Sequence, residues 1–182
     1  MSLVIAAISK NNVYILGDTQ LNNGIESIEE TGMKVIPIGN HTLVGFTGTY
    51  RYFINMAQSL TENIVNASFK EKVLFVKEQM QGDDVENNAV IVGIENGMTK
   101  YSIFGSNYGY NLPINTISHN GIDIKLLIPP DITEEFCKPY ITSPLCLDYQ
   151  MFSCIEAVSH VSSSVNLSLI HISEPTRPLY IS

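Results

Sequence analysis

Apolar positions come first in short runs and later at helical spacing. Leu3–Ile8 is a run rich in β-branched residues, Lys10-Asn11-Asn12 is a turn signal, and Val13–Leu16 is a second run. This predicts a β-hairpin buried on both faces. Thr19–Gly32 is polar and contains Asn22-Asn23-Gly24, which predicts a loop. Lys34–Ile38 and Thr42–Thr47 predict a second hairpin turning at Gly39-Asn40. The period then changes. Tyr50, Phe53, Ile54, Ala57, Leu60 and Ile64 recur every three or four residues and predict one amphipathic helix. Phe69–Met80 predicts a second helix, with Lys72, Lys77 and Glu78 on its wet side.

Gly82–Asn88 reads as an acidic loop. Ala89–Ile94 and Met98–Phe104 flank Glu95-Asn96-Gly97, and Asn-Gly is the strongest short hairpin signal. Ile114–Ser118 and Ile122–Ile128 predict further strands, the second ended by Pro129-Pro130. Asp148–Val161 predicts a final helix. Strands and helices come in blocks, so the expected class is α+β, with antiparallel sheet and helices packed on its faces. No internal repeat or interdomain linker interrupts the pattern.

Composition narrows the function classes. The chain has 182 residues, one domain's worth, and 45% of them are hydrophobic against 15% charged, which argues against disorder and coiled coil. Its formal charge is −8, so nucleic acid and anionic membrane are not expected partners. No apolar run approaches the roughly 18 residues of a membrane span, and the N-terminus lacks a basic n-region and cleavage site. A cytoplasmic protein is expected. Cys137, Cys146 and Cys154 are odd in number with no C-x-x-C pair. They read as buried apolar residues in a reducing compartment, not as a disulfide framework or zinc site.

The end of the chain has a separate character. Leu167 to Arg177 reads Leu-Ser-Leu-Ile-His-Ile-Ser-Glu-Pro-Thr-Arg. This resembles the in-frame translation of a transposon-type sequencing adapter. We therefore expect a domain over residues 1–166 that is truncated at its C-terminus, and set 167–182 aside as one would a fusion scar. The alternative is a natural C-terminal strand, which the apolar run Leu167–Ile172 would allow.

The candidate chemistry lies at the N-terminus. Ser2 follows the initiator Met, and a small second residue permits Met removal. The mature chain would then begin with a hydroxyl and a free α-amine on one residue. A hydroxyl needs a base to become a nucleophile. An α-amine, with an ordinary pKa of about 7.7–8.0, can be that base. By itself Met-Ser is common and carries little. Its surroundings add weight: Asp18 lies sixteen residues on, at the end of the second predicted strand, Lys34 another sixteen, and Gly48 a further fourteen, where strand passes into helix. The start of strand one and the end of strand two are neighbours in a hairpin, so Ser2 and Asp18 meet at one sheet end. Lys34 joins them if its strand lies alongside.

Here the residues resemble the proteasome β-type N-terminal-nucleophile (Ntn) hydrolases, especially the HslV type. Val13-Tyr-Ile-Leu-Gly-Asp-Thr-Gln20 resembles the strand leading to that family's acidic residue, Lys34-Val35 its lysine, and Val44-Gly-Phe-Thr-Gly48 the strand ending at its oxyanion glycine. The resemblance covers Ser2 to about Ile64 and is only architectural from Ala89 to Asn166. It implies a four-layer αββα sandwich with two antiparallel sheets and a threonine/serine-type endopeptidase that uses no cofactor. It also implies a polypeptide substrate, a homo-oligomeric ring and an ATP-dependent unfoldase as partner.

Carried over by position, Ser2 takes the place of the nucleophile and Lys34 that of the cation which lowers its proton affinity. Asp18 takes the place of the carboxylate pairing the lysine, and Gly48 that of the oxyanion donor. Leu21, Gly32, Phe46 and Tyr50 would line the pocket for the side chain before the scissile bond. None is charged, which predicts an apolar preference there; ordinary core packing is the other reading of Phe46 and Tyr50.

There are departures. The nucleophile is Ser where the family has Thr, and so lacks the methyl that restricts the rotamer. The family's Gly-Ser-Gly before a central helix, whose serine supports the terminal amine, is replaced here by Ser118-His119-Asn120-Gly121, with Ser118 as candidate substitute. Ser162-Ser163-Ser164 falls near further amine-supporting positions. A catalytically inactive assembly subunit and a small-molecule Ntn amidase are the alternative functions. Elsewhere, His41, His119 and His160 lack metal-ligand spacing. Glu29-Glu30 and Asp83-Asp84 read as solvated loop charge, and Gly105–Gly109 as neither a phosphate loop nor a dinucleotide motif.

Overall fold

The computed structural model describes residues 2–22, 27–28, 32–80, 86–111, 113–142, 147–166 and 169–175. Glu29, Glu30, Asp83, Asp84, Cys146 and the side chain of Leu21 lie outside them. The first hairpin is β1 (Val4–Ser9) and β2 (Asn12–Asp18), with Val4 opposite Gly17 and Ile8 opposite Val13. β10 (Ile122–Leu127) pairs antiparallel with the other side of β1, from Val4↔Leu127 to Ser9↔Ile122. β11 (Leu169–Pro175), from the adapter-like segment, pairs along β2 from Leu169↔Asp18 to Pro175↔Asn12. The four make one sheet, ordered β10-β1-β2-β11.

The second sheet is β5 (Val35–Pro37), β6 (Thr42–Thr47), β7 (Asn88–Glu95), β8 (Met98–Gly105) and β9 (Asn115–Thr116), paired in that order and antiparallel. The Asn-Gly signal forms the β7–β8 turn, with Asn96 at φ 53° and Gly97 at φ 73°, positive at both central residues as a type I′ hairpin requires. Within the predicted loop 19–32, β3 (Leu21–Asn22) and β4 (Ser27–Ile28) form a short ladder of their own.

Three apolar clusters define the layers. Val4, Ala6 and Ile8 of β1, Ile15 of β2, Leu43 of β6 and Val90 and Val92 of β7 fill the space between the sheets. The opposite face of the second sheet packs on α1 (Tyr50–Gln58), α2 (Glu62–Val65) and α3 (Phe69–Met80) through Val44, Phe53, Met56, Val73 and Val76. The outer face of the first sheet packs on α4 (Glu134–Ile141) and α5 (Leu147–Ser159) through Leu3, Ile5, Leu16, Cys137 and Cys154. The result is the expected αββα sandwich. It explains why β1, buried on both faces, reads as a continuous apolar run. The sheets pack closely at Gly45, where an added Cβ would lie 2.6 Å from Val4 Cγ1. Among the described residues, no helix is long and apolar enough to cross a membrane.

Besides the β3–β4 ladder, two helices and one side chain differ from the sequence expectation. The helix predicted across Tyr50–Ile64 is divided, because Thr61 caps a new start by accepting the Ile64 N–H at 3.4 Å. α4 was not anticipated: it is short and has Pro139 inside it, although Thr133 caps it by accepting the Phe136 N–H and Glu134-Glu135 favour its first turn. Lys72, expected on the wet side of α3, is buried.

Glu95 ties the end of β7 to α3, its Oε1 accepting the Phe69 N–H at 2.8 Å and its Oε2 the Lys100 ammonium at 2.5 Å. The bond from Lys100, then the one from Phe69, hold its carboxyl below the ordinary value of 4.5. Its stabilising contribution is therefore complete above that value and lost as pH falls through the depressed folded one. Denaturant midpoints across pH 3–7 should converge for Glu95→Gln and the parent at the acid end, and separate above about pH 5.

Candidate active site

The hairpin register brings the start of β1 and the end of β2 to one edge. Asp18 N–H donates to Leu3 O at 3.2 Å, and Asp18 Oδ1 accepts the Leu3 N–H at 2.8 Å. The carboxylate thus grips the backbone one residue after Ser2, and Ser2 itself is buried. Its other oxygen, Oδ2, lies 2.7 Å from Lys34 Nζ and accepts the Gln20 N–H at 3.0 Å. Lys34 Nζ donates also to Gln20 O at 2.5 Å. Lys34 is held against β6 by the bond from Phe46 N–H to its carbonyl, 2.9 Å. Asp18 is 0% and Lys34 4% exposed, so the pair is cut off from water.

Burial pushes the Asp18 carboxyl up, opposed by the charge and hydrogen bond of Lys34 and by the Leu3 and Gln20 N–H groups. Burial likewise pushes the Lys34 ammonium down, opposed by Asp18. Three donors converging on one carboxyl is the geometry of an ionised acid. A fixed cation of this kind favours the deprotonated form of any hydroxyl or amine beside it.

Gly48 follows β6 with φ +133°, open to glycine and strained for other residues. A Cβ there would lie 2.3 Å from Asn87 Oδ1 and 2.6 Å from Glu86 O. Asn87, fully buried, accepts the Thr49 N–H at 2.9 Å and donates to Met80 O at 3.2 Å. It ties the β6–α1 turn to the end of α3, and nothing in a polar residue within the acidic loop 82–88 marks it in the sequence. Asn87→Ala should cost about 1–3 kcal/mol by leaving buried polar groups unpaired. Chemical denaturation checks this.

Other residues gather at the same edge. Asn166 Oδ1 accepts the Thr19 N–H at 3.3 Å and Gln20 Nε2 donates to Ser163 O at 2.8 Å, bringing the segment after α5 against the end of β2. Ser162 Oγ, within it, lies 2.8 Å from Ser164 Oγ. The Oγ1 atoms of Thr19 and Thr47, beside Asp18 and Gly48, are buried with no hydrogen-bond partner among the described residues.

Ser118 is not brought there. It precedes β10 at the end where Ile122 pairs with Ser9, and a six-residue strand such as β1 spans about 20 Å. Asn120-Gly121 turns the chain into a strand, not into a helix. The segment that leaves the ladder beside Ser2 is Ile128-Pro129-Pro130, since Leu127 pairs with Val4, and it leads into α4. Pro129 is buried and has neither a side-chain hydroxyl nor an N–H. Of the pocket residues, Gly32 is buried with its N–H on Thr19 O at 2.8 Å, and Leu21 lies in β3. Phe46 is packed in the helix-side core, its ring 5.7 Å from Phe53, and half-buried Tyr50 stacks on Phe53 at 5.8 Å. Among the described residues, no three His, Cys, Asp or Glu side chains are grouped to hold a metal ion.

Solved structures share this architecture. HslV from Trypanosoma brucei is similar over 94% of this chain and 98% of its own, with a TM-score of 0.65 at 12% identity. An Anbu mutant from Hyphomicrobium sp. strain MC1 is similar over 96% and 82%, TM-score 0.70, 12% identity. Anbu from Yersinia bercovieri, described as an ancestral β-subunit, is similar over 95% and 81%, TM-score 0.67, 14% identity. The fold is that of the N-terminal-nucleophile hydrolases. No protein-family model matches the sequence, and no curated protein does. At 12–14% identity the likeness is one of Ntn architecture. The chemistry rests on the residues at the edge of the sheets.

Proposed function

We propose that the chain is a proteasome-like peptidase that hydrolyses peptide bonds with Ser2 as nucleophile, after removal of Met1. The observation that carries this reading is the buried Lys34–Asp18 pair, whose carboxylate also holds the Leu3 N–H. A buried ion pair is a poor way to gain stability. It suits a site that needs a fixed positive charge beside the first residue.

In this mechanism Ser2 Oγ attacks the scissile carbonyl carbon while its proton passes, through water, to the Ser2 α-amine. The Lys34 charge keeps the proton affinity of both groups low. The carbonyl oxygen becomes an oxyanion that accepts from Gly48 N–H. The C–N bond then breaks, the amine product leaves with the proton, and an ester on Ser2 Oγ remains. Water attacks that ester, giving its proton to the same α-amine, and the acid is released with Ser2 restored. The homo-oligomeric ring and ATP-dependent unfoldase belong to the same reading, and light scattering of the purified protein tests the ring.

The experiment is intact mass and N-terminal sequencing with β-lactone labelling. Loss of Met1, one adduct on Ser2, and no adduct in Ser2→Ala are expected. A retained Met1, or equal labelling of Ser2→Ala, overturns the proposal. Pro129 favours a second reading, an inactive assembly subunit, because the strand beside Ser2 offers no hydroxyl to support the amine. A mature N-terminus that takes no label and cleaves no peptide would select it.

A further inference from the structure

The edge opposite Ser2 also holds a buried cation. There the β5–β6 turn, the end of α2, the end of β7 and the start of α3 line a half-open cavity of about 240 Å³. Lys72 lines it from α3 and is only 7% exposed. Its Nζ makes a long hydrogen bond of 3.3 Å to Thr42 Oγ1, and no carboxylate lies within ion-pair distance of it among the described residues. Glu95, on the cavity wall, is engaged through both oxygens, by Phe69 N–H and by Lys100. An ammonium has three donors, and buried charges are ordinarily paired. Lys34, the more deeply buried of the two, has a carboxylate at 2.7 Å; Lys72 has one hydroxyl.

We propose that this cavity binds a short-chain carboxylate, with the carboxylate on Lys72 Nζ and Thr42 Oγ1 and the alkyl chain against Val65, Phe69 and Ile94. These three side chains give the cavity an apolar wall, while Asn40, His41 and Asn66 line its polar part. Charge selects the ligand class. One ammonium matches one negative charge, and Glu95 repels the second charge of a phosphate dianion. Burial lowers the Lys72 pKa, with Glu95 opposing, so a bound anion would offset a cost the free protein carries. The site is independent of Ser2, and goes beyond the hydrolase reading without resting on it.

The test is an NMR titration of the full chain with sodium butyrate, following the backbone amides of His41 and Thr42. Butyramide and inorganic phosphate are titrated in parallel, at fixed pH and ionic strength. Butyrate is expected to give saturable shifts at these amides. Butyramide, of the same shape without the charge, should bind about tenfold more weakly or worse, because a hydrogen bond between ions is worth more than one to a neutral group. Phosphate should bind no more tightly than butyrate, and Lys72→Met should abolish the response. The proposal is overturned if butyramide matches butyrate, if phosphate binds more tightly, or if the butyrate shifts fail to saturate or centre elsewhere. The butyramide comparison uses the unaltered protein, so it decides even if Lys72→Met does not fold.

Discussion

Replacing Lys34 by alanine is expected to destabilise the fold by about 3–5 kcal/mol, the usual cost of leaving one partner of a buried ion pair alone. Asp18, with no exposed surface, would keep its Leu3 and Gln20 donors but lose its counter-charge. The same variant should lose β-lactone labelling at Ser2. A double replacement, Asp18→Leu with Lys34→Met, separates the two effects. Apolar residues of similar volume should restore much of the stability, since replacing a buried pair is often neutral. They should restore no labelling. Recovery of labelling in the double variant would show that the charge is not used in the chemistry.

Gly48→Ala should be nearly as severe, for a different reason. The added Cβ meets Asn87 Oδ1 and Glu86 O well inside contact distance, at a φ of +133°. Backbone strain of this kind costs about 1–3 kcal/mol, and overpacking adds a similar amount, about 1–3 kcal/mol. The turn must move, and with it the N–H assigned to the oxyanion; losing one such donor lowers kcat by about 10²–10³. Adding Asn87→Gly removes the side-chain clash but not the strain. The backbone contacts with Glu86 O and Asn87 Cα also remain, and Thr49 N–H and Met80 O lose their partner, so it should recover neither stability nor rate. Denaturation midpoints and peptide turnover, measured on both variants and the parent, check both parts.

How legible the molecule was depended on whether a residue's role is local. The hairpins β1–β2, β5–β6 and β7–β8 were readable because runs and turns lie in one stretch of chain. The nearness of Asp18 to Ser2 was readable too, since hairpin geometry alone puts the end of β2 beside the start of β1, whereas Lys34 comes from the other sheet and joins them only because that sheet lies alongside. Lys72 was misread because helical periodicity records which face a residue is on, not whether a turn such as Asn40-His41 closes over it. Ser118 is a candidate only by resemblance to a Gly-Ser-Gly segment that precedes a helix, whereas here the segment leads into the strand β10, at the far end of β1 from Ser2. The strand that reaches Ser2 is recognised only from its pairing with β1, a contact across more than a hundred residues. Asn87 had no sequence signal at all, its bonds being to backbone groups of two separate elements. α4 left a trace in Thr133-Glu134-Glu135, outweighed by Pro139 and its brevity.

The last strand has a practical consequence. β11 joins the sheet along the whole of β2, from Asp18 to Asn12, and such a ladder is made by main-chain amides and carbonyls. Those groups are the same whatever side chains accompany them. An adapter-like sequence can thus occupy the seam beside β2, and so could a separate synthetic strand of matching register added to residues 1–166. The seam is a natural place to divide the molecule into two parts.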